Sequence, residues 1–151
     1  MPFPCFLIEP VLDVQGSIPR DDDGWDPRGR AILGWKRADT GERAKHTHDF
    51  GVGAMWRAIW QPKNWDWDNE TEPHLIVCCP NPDATSTRDW DIDSRASNCG
   101  SPKDKLHRCW VRRGIPPLIT VDKSGLTCSA GAGSILLSKW HGFLKNGILT
   151  P

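Results

Sequence analysis

The distribution of apolar and polar residues along the chain predicts many short strands and little helix. Short runs that are apolar or alternate with polar residues are typical of strands. They occupy residues 3–14, 31–37, 53–60, 74–79, 90–94, 118–121, 134–137, 142–144 and 148–150. Turn-forming residues separate the runs, and Asn146-Gly147 between the last two is a strong hairpin signal. We expect Pro10 to break the first strand, because proline cannot donate a ladder hydrogen bond.

Residues 53–60, with the sequence GAMWRAIW, fit two kinds of element. Period two places four residues on one face of a strand: Ala54, Trp56, Ala58 and Trp60. A short helix would instead gather Met55 and Ile59 beside Trp56. The glycines before this segment and Pro62 after it favour the strand.

Together these elements predict a mainly β fold, either a compact β-sandwich or a partly open barrel with long loops rich in Gly and Pro. Gly and Pro account for 14 and 13 of the 151 residues, a share above average. A chain of this length suits a single core. We expect residues 1–50 to form an irregular N-terminal extension with short strands, and residues 51–151 to form the β-rich core domain.

Charge and hydropathy narrow the classes of partner. The 19 Lys and Arg residues balance the 19 Asp and Glu residues, which argues against a general binder of nucleic acid or anionic membranes. The first residues, MPFPCFLIEP, lack the basic and long apolar regions of a signal peptide. No segment approaches the roughly 18 apolar residues of a membrane span. We therefore expect synthesis in the cytoplasm, where six Cys residues are free thiols or metal ligands.

Three cysteines and one histidine in the last third of the chain could form a structural zinc site. The four candidate ligands are Cys99, Cys109, Cys128 and His141, with His107 as a substitute. Three thiolates and one imidazole complete a tetrahedral zinc shell. The chain lacks the closely spaced Cys pair that marks such sites most specifically, so buried core thiols and disulfides remain alternatives. Zinc is the one cofactor that the sequence suggests.

Two residue pairs elsewhere could also carry chemistry. His46 and His48 face the same side if their segment is extended, which is a geometry that binds metals. Asp91 and Asp93 would also share one face of a strand, where mutual repulsion could raise a pKa, although a solvated acidic face explains them better. A nucleophilic cysteine would need a neighbouring base, for which His107 and His141 are candidates.

The vicinal pair Cys78-Cys79 lies at the end of the most strand-like segment. Side chains of adjacent strand residues point to opposite faces. We therefore expect two packing residues, one on each side of a strand that is buried on both faces.

Basic residues interleaved with Trp110 mark the segment 103–113. This pattern could bind single-stranded nucleic acid, but Arg–Trp stacking within a fold explains it equally. Nine Trp residues and no Tyr suit a protein-binding surface, because Trp is a common interface anchor. The candidate binding residues are Trp65, Trp67, Trp110, Arg112 and Arg113.

Several longer stretches resemble a family of small bacteriophage and prophage proteins that has no established activity. They read IDSRASNC, HRCWVRRGIPPLITVDKSGLTCSAGAGSI and WHGFLKNGIL. The stretch WDWDNETEPHL, followed later by WHGFL, is similar to a broader family with the same turn and final hairpin. The resemblance implies a viral origin and a compact β domain. With the cytoplasmic synthesis expected above, it makes the host cytoplasm the first expected location and the virion a candidate later one.

Three functions are compatible with these observations. The first is a non-enzymatic protein-binding module that acts as a decoration or cement-like accessory component of the virion. The second is a hydrolase that depends on zinc or on a thiol, and the third is a small inhibitor of a host defence protein. The expected partners are accordingly other virion proteins, a host protein or further copies of the chain.

Overall fold

The computed structural model describes residues 2–13, 32–58, 74–82, 88–93, 109–123 and 133–151. These residues form twelve strands and one short 3-10 helix, Thr47–Phe50, so the predicted mainly β fold is confirmed. The strands are β1 (Phe3–Pro4), β2 (Phe6–Leu12), β3 (Ile32–Arg37), β4 (Arg43–Ala44), β5 (Ala54–Arg57), β6 (Leu75–Cys78), β7 (Asp89–Asp91), β8 (Val111–Arg113), β9 (Thr120–Asp122), β10 (Ile135–Leu136), β11 (His141–Lys145) and β12 (Ile148–Thr150). No helix in these ranges is long and apolar enough to cross a bilayer.

The strands assemble into three sheets. The largest has the order β4-β3-β2-β5-β6-β7, in which only β2 and β5 are parallel neighbours. A four-stranded antiparallel sheet has the order β1-β12-β11-β10, and β8 pairs with β9 separately. None of these sheets closes into a barrel within the described residues, and the arrangement is that of a sandwich.

Strands β5 and β6 lie at the centre because both of their faces are apolar. One face contributes Met55, Leu75 and Val77 to a core that also contains side chains of the smaller sheets, including Leu144 and Leu149. The opposite face contributes a second set to another core: Ala54, Trp56, Ala58, Ile76 and Cys78. The period-two interpretation of residues 53–60 is therefore confirmed for the residues that the structure describes, and strands buried on both sides explain the continuous apolar runs.

The first fifty residues share sheets with the rest of the chain. Strand β1 pairs with β12 near the C-terminal end, and β2 pairs with β5. Strands from both sides of the domain boundary expected at residue 50 therefore belong to the same sheets. The prediction that Pro10 breaks its strand is wrong, because Pro10 lies within β2 opposite Trp35. Within β2 only Phe6 and Leu7 pair with β5, whereas Pro10 pairs with β3 alone. The missing N–H of Pro10 therefore costs no hydrogen bond to β5.

The hairpin between β11 and β12 forms as predicted. Asn146 and Gly147 both have positive φ angles, 46° and 73°, as the preferred two-residue turn requires. Within β11, Gly142 allows close packing, because a Cβ there would collide with the ring of Trp140 and with the backbone carbonyl of Thr150. The Asn146-Gly147 turn and the absence of a side chain at Gly142 therefore both favour this hairpin.

Candidate functional site

The proposed zinc ligands are only partly described. Cys109 is fully buried immediately before β8, whereas His141 is exposed on β11. Cys99, Cys128 and His107 lie outside the described residues. Within the described ranges, no group of three or more His, Cys, Asp or Glu side chains is placed to hold a metal ion. The zinc site therefore stays a prediction.

The segment around His46 and His48 is not extended, so the condition for the metal-binding geometry considered for this pair is not met. The Asp49 carboxylate accepts a hydrogen bond of 3.0 Å from the backbone N–H of His46. This contact closes the chain into the 3-10 turn that begins at Thr47, as short polar side chains do at helix starts. The two imidazole rings nevertheless lie side by side, stacked with centroids 5.2 Å apart on the surface.

Three of the described thiols, those of Cys5, Cys78 and Cys79, pack against the two cores. Cys78 and Cys79 point into opposite cores, as predicted for a strand buried on both faces. Burial raises the pKa of Cys78 to about 11 and that of Cys5 to about 12, and it also raises the pKa of Cys79. A nucleophilic cysteine needs a lowered thiol pKa, so none of these three suits thiolate chemistry at neutral pH.

Asp91 and Asp93 do not form a solvated acidic face, and that interpretation is wrong. Asp91 Oδ2 lies 2.7 Å from Nδ1 of the fully buried His74, and Asp93 Oδ1 lies 2.9 Å from Nε of Arg112. The other Asp93 oxygen accepts a 2.8 Å hydrogen bond from the backbone N–H of Leu75. Burial raises the pKa of Asp93, and the Arg112 charge opposes that rise. The pair therefore ties the end of β7 to β6 and to β8.

The predicted binding residues divide between the interior and the surface. The indole N–H of Trp110 donates to the Ile92 carbonyl at 2.6 Å, and its ring packs against Trp90. Arg112 is 18% exposed and engages Asp93, whereas Arg113 is mostly exposed beside Asp122. Trp65 and Trp67 lie outside the described residues. Trp110 and Arg112 thus have structural contacts, and a binding role for the five residues stays a prediction.

The outer side of the four-stranded sheet presents apolar side chains to solvent. Strand register places seven residues on this side: Pro4, Leu136, His141, Phe143, Lys145, Ile148 and Thr150. We call this surface the C-terminal face. Leu136 is 76% exposed, and the Phe143 ring lies between His141 and the Lys145 ammonium group. The inner residues of the same strands, Ile135, Leu144 and Leu149, are fully buried, so the exposed side chains stand on a packed support.

A second exposed apolar element adjoins the hairpin turn. Ile115 is 81% exposed, and Leu118 is also exposed in the loop between β8 and β9. The Leu118 side chain lies against the turn, since its Cδ2 is 3.2 Å from the point that a Cβ would occupy at Gly147. Backbone bonds hold this loop in place: Gly147 donates to the Ile119 carbonyl at 2.9 Å.

The part of the chain that carries these surfaces is basic, although the whole chain is neutral. Residues 109–123 and 133–151 contain five Lys or Arg residues and one Asp: Arg112, Arg113, Lys123, Lys139, Lys145 and Asp122. The net charge of the whole chain does not show this basic excess, because acidic residues in the rest of the chain balance it. The alternation in HGFLK, residues 141–145, is the sequence signal that could have revealed an exposed face.

No protein-family model, no curated protein and no solved structure matches this chain. The resemblance to phage and prophage proteins therefore stays a prediction.

Proposed function

We propose that the chain is a non-enzymatic protein-binding module that serves as an accessory component of a phage particle. The supporting observation is the C-terminal face, where large aliphatic side chains are exposed on a packed sheet. Isolated exposed apolar residues are ordinary, but apolar residues grouped on one rigid face with a polar rim are typical of interaction sites.

The composition of the face favours one kind of partner. Leu136, Phe143 and Ile148 supply the apolar centre, and Lys145 and His141 stand next to them. Arg112 and Arg113 are engaged by Asp93 and Asp122, whereas Lys145 stands on the face itself. The complementary surface is therefore an apolar patch on another protein with a carboxylate opposite Lys145. Complementary charge raises association rates and selects against wrong partners.

The phage setting rests on the sequence resemblance, while the choice of binding surface rests on the exposed residues of the C-terminal face. A virion protein and a host defence protein could each present an acidic and apolar surface, so the partner must be identified directly. Binding is preferred to thiol-dependent hydrolysis because burial raises the pKa of Cys5, Cys78 and Cys79, which leaves these three thiols poorly suited to nucleophilic catalysis.

Quantitative mass spectrometry of purified virions from the encoding phage tests this proposal. We expect a fixed number of copies per particle that survives washing in high salt. The double variant Leu136→Ser with Ile148→Thr should lower the copy number at least tenfold, because central interface residues each contribute about 2 kcal/mol or more.

Leu33→Ser is the matched control, since Leu33 is also an exposed aliphatic residue but lies on the six-stranded sheet. It should leave the copy number unchanged. Purified virions that contain no copies of the wild-type chain would refute the virion role. Equal loss in the control and the double variant would refute the assignment of the C-terminal face.

A further inference from the structure

A small hollow lies on the six-stranded sheet, away from the C-terminal face. Its volume is about 260 Å³. Its lining combines apolar residues with two cations: Val11, Leu33, Gly34, Trp35, Arg43, Ala44 and Lys45. Nothing in the proposed function accounts for this combination.

A β-bulge shapes the hollow. Val11 pairs with Gly34 and Leu12 pairs with Ile32, so Leu33 is an extra residue in β3. A bulge redirects side chains locally, and Leu33 is 47% exposed although it lies within the strand. Gly34 lets β4 approach closely, because a Cβ there would lie 3.1 Å from the Ala44 carbonyl oxygen.

Two cations stand at one side of this space. Arg43 lies in β4 and Lys45 follows that strand directly, and both are exposed. Neither has an ion-pair partner within the described residues. Two exposed cations beside an apolar hollow complement a carboxylate that is carried next to one apolar side chain.

We propose that the hollow binds the C-terminal residue of a partner peptide. The apolar side chain of that residue packs beside Leu33 and Val11, and its α-carboxylate pairs with Arg43 and Lys45. The volume supports one residue of a larger partner, because pockets for complete small ligands span about 300–1,000 Å³. This inference relies on the proposed protein-binding function for its biological role, but the peptide belongs to a second partner on a separate surface, so Leu33→Ser remains a control for binding through the C-terminal face.

Fluorescence polarisation with the full chain and a fluorescein-labelled tetrapeptide ending in leucine tests the proposal. We expect saturable binding with a Kd below about 1 mM. Replacing the terminal carboxylate by an amide, or the terminal leucine by serine, should each weaken binding at least about tenfold. Unlabelled N-acetyl-leucine should compete much more weakly than the unlabelled tetrapeptide.

The variants separate this site from the C-terminal face. Arg43→Gln with Lys45→Gln, and separately Leu33→Ser, should each weaken peptide binding at least about tenfold. Leu136→Ser should bind the peptide as the wild type does. No saturation by millimolar peptide, equal affinity for acid and amide, or equal competition by N-acetyl-leucine would overturn the inference. Leu136 and Ile148 do not line this hollow. Failure of the peptide experiment therefore refutes the peptide site and leaves the proposed binding through the C-terminal face untouched.

Discussion

Removal of the Arg112 charge tests how the sheets are joined. Arg112→Met keeps an unbranched apolar stem and removes the group that lies 2.9 Å from Asp93 Oδ1. Breaking a buried ion pair by removing one partner costs about 3–5 kcal/mol. Because the Asp93 and Arg112 side chains retain 12% and 18% exposure, we expect a loss of about 2–3 kcal/mol in the free energy of unfolding. At a urea m-value of about 2 kcal/mol/M, the midpoint falls by about 1–1.5 M.

The loss should depend on pH in a definite direction. Burial raises the pKa of Asp93, and Arg112 lowers it, so the variant has a still higher Asp93 pKa. A carboxyl whose pKa is higher in the folded than in the unfolded chain favours folding once it is protonated, and this advantage disappears as the pH rises through its folded pKa. The destabilisation caused by Arg112→Met should therefore be largest at pH 7 and shrink as the pH falls towards 4.

Asp93→Asn in the Arg112→Met background provides the control. The Asn side chain can still accept the hydrogen bond from the Leu75 N–H and carries no charge, so it should recover at least about 1 kcal/mol in a double-mutant cycle. Urea unfolding monitored by Trp fluorescence at several pH values measures all these quantities. A loss below about 0.5 kcal/mol that is the same at pH 4 and pH 7 would refute the reasoning.

Three other predictions follow from packing. Gly142→Ala should lower the free energy of unfolding by about 3 kcal/mol or more, because its Cβ would overlap neighbouring backbone and ring atoms, while Gly133→Ala should change it by less than about 1 kcal/mol. Urea titrations that give equal losses for the two variants would contradict the crowding argument. Iodoacetamide at pH 8 should leave Cys5 and Cys78 unlabelled in the folded chain, because burial raises their pKa; peptide mapping by mass spectrometry would contradict this if it found rapid labelling. Trp110→Phe should cost about 1–2 kcal/mol in urea unfolding through the lost hydrogen bond to a buried carbonyl, and an unchanged midpoint would count against that contact.

Local periodicity predicted those parts of the fold whose determinants are close together in sequence. The strand at residues 54–57 and the opposite orientation of Cys78 and Cys79 follow from period two. The turn at Asn146-Gly147 follows from the preference of these residues for positive φ. In each case the residues that decide the structure lie within a few positions of one another.

Contacts between distant residues could not be predicted in this way. Local alternation predicts a solvated pair at Asp91 and Asp93, because their partners, His74 and Arg112, lie 17 and 19 residues away. The His46 segment forms a 3-10 helix in which the Asp49 carboxylate accepts from the His46 N–H, a contact that period two does not predict. Alternation in residues 141–145 indicates that one side of the strand is exposed, but which neighbouring strands extend that side into the C-terminal face depends on the assembled sandwich.

Site-specific photocrosslinking during phage growth tests the central proposal most directly. The photoreactive residue p-benzoylphenylalanine is placed at position 136 on the C-terminal face or, as a control, at position 33, and the crosslinked partner is identified by mass spectrometry. We expect position 136 to yield one dominant adduct with a virion protein and position 33 to yield none with that protein. A dominant adduct with a host protein, or no specific adduct at position 136, would contradict the account.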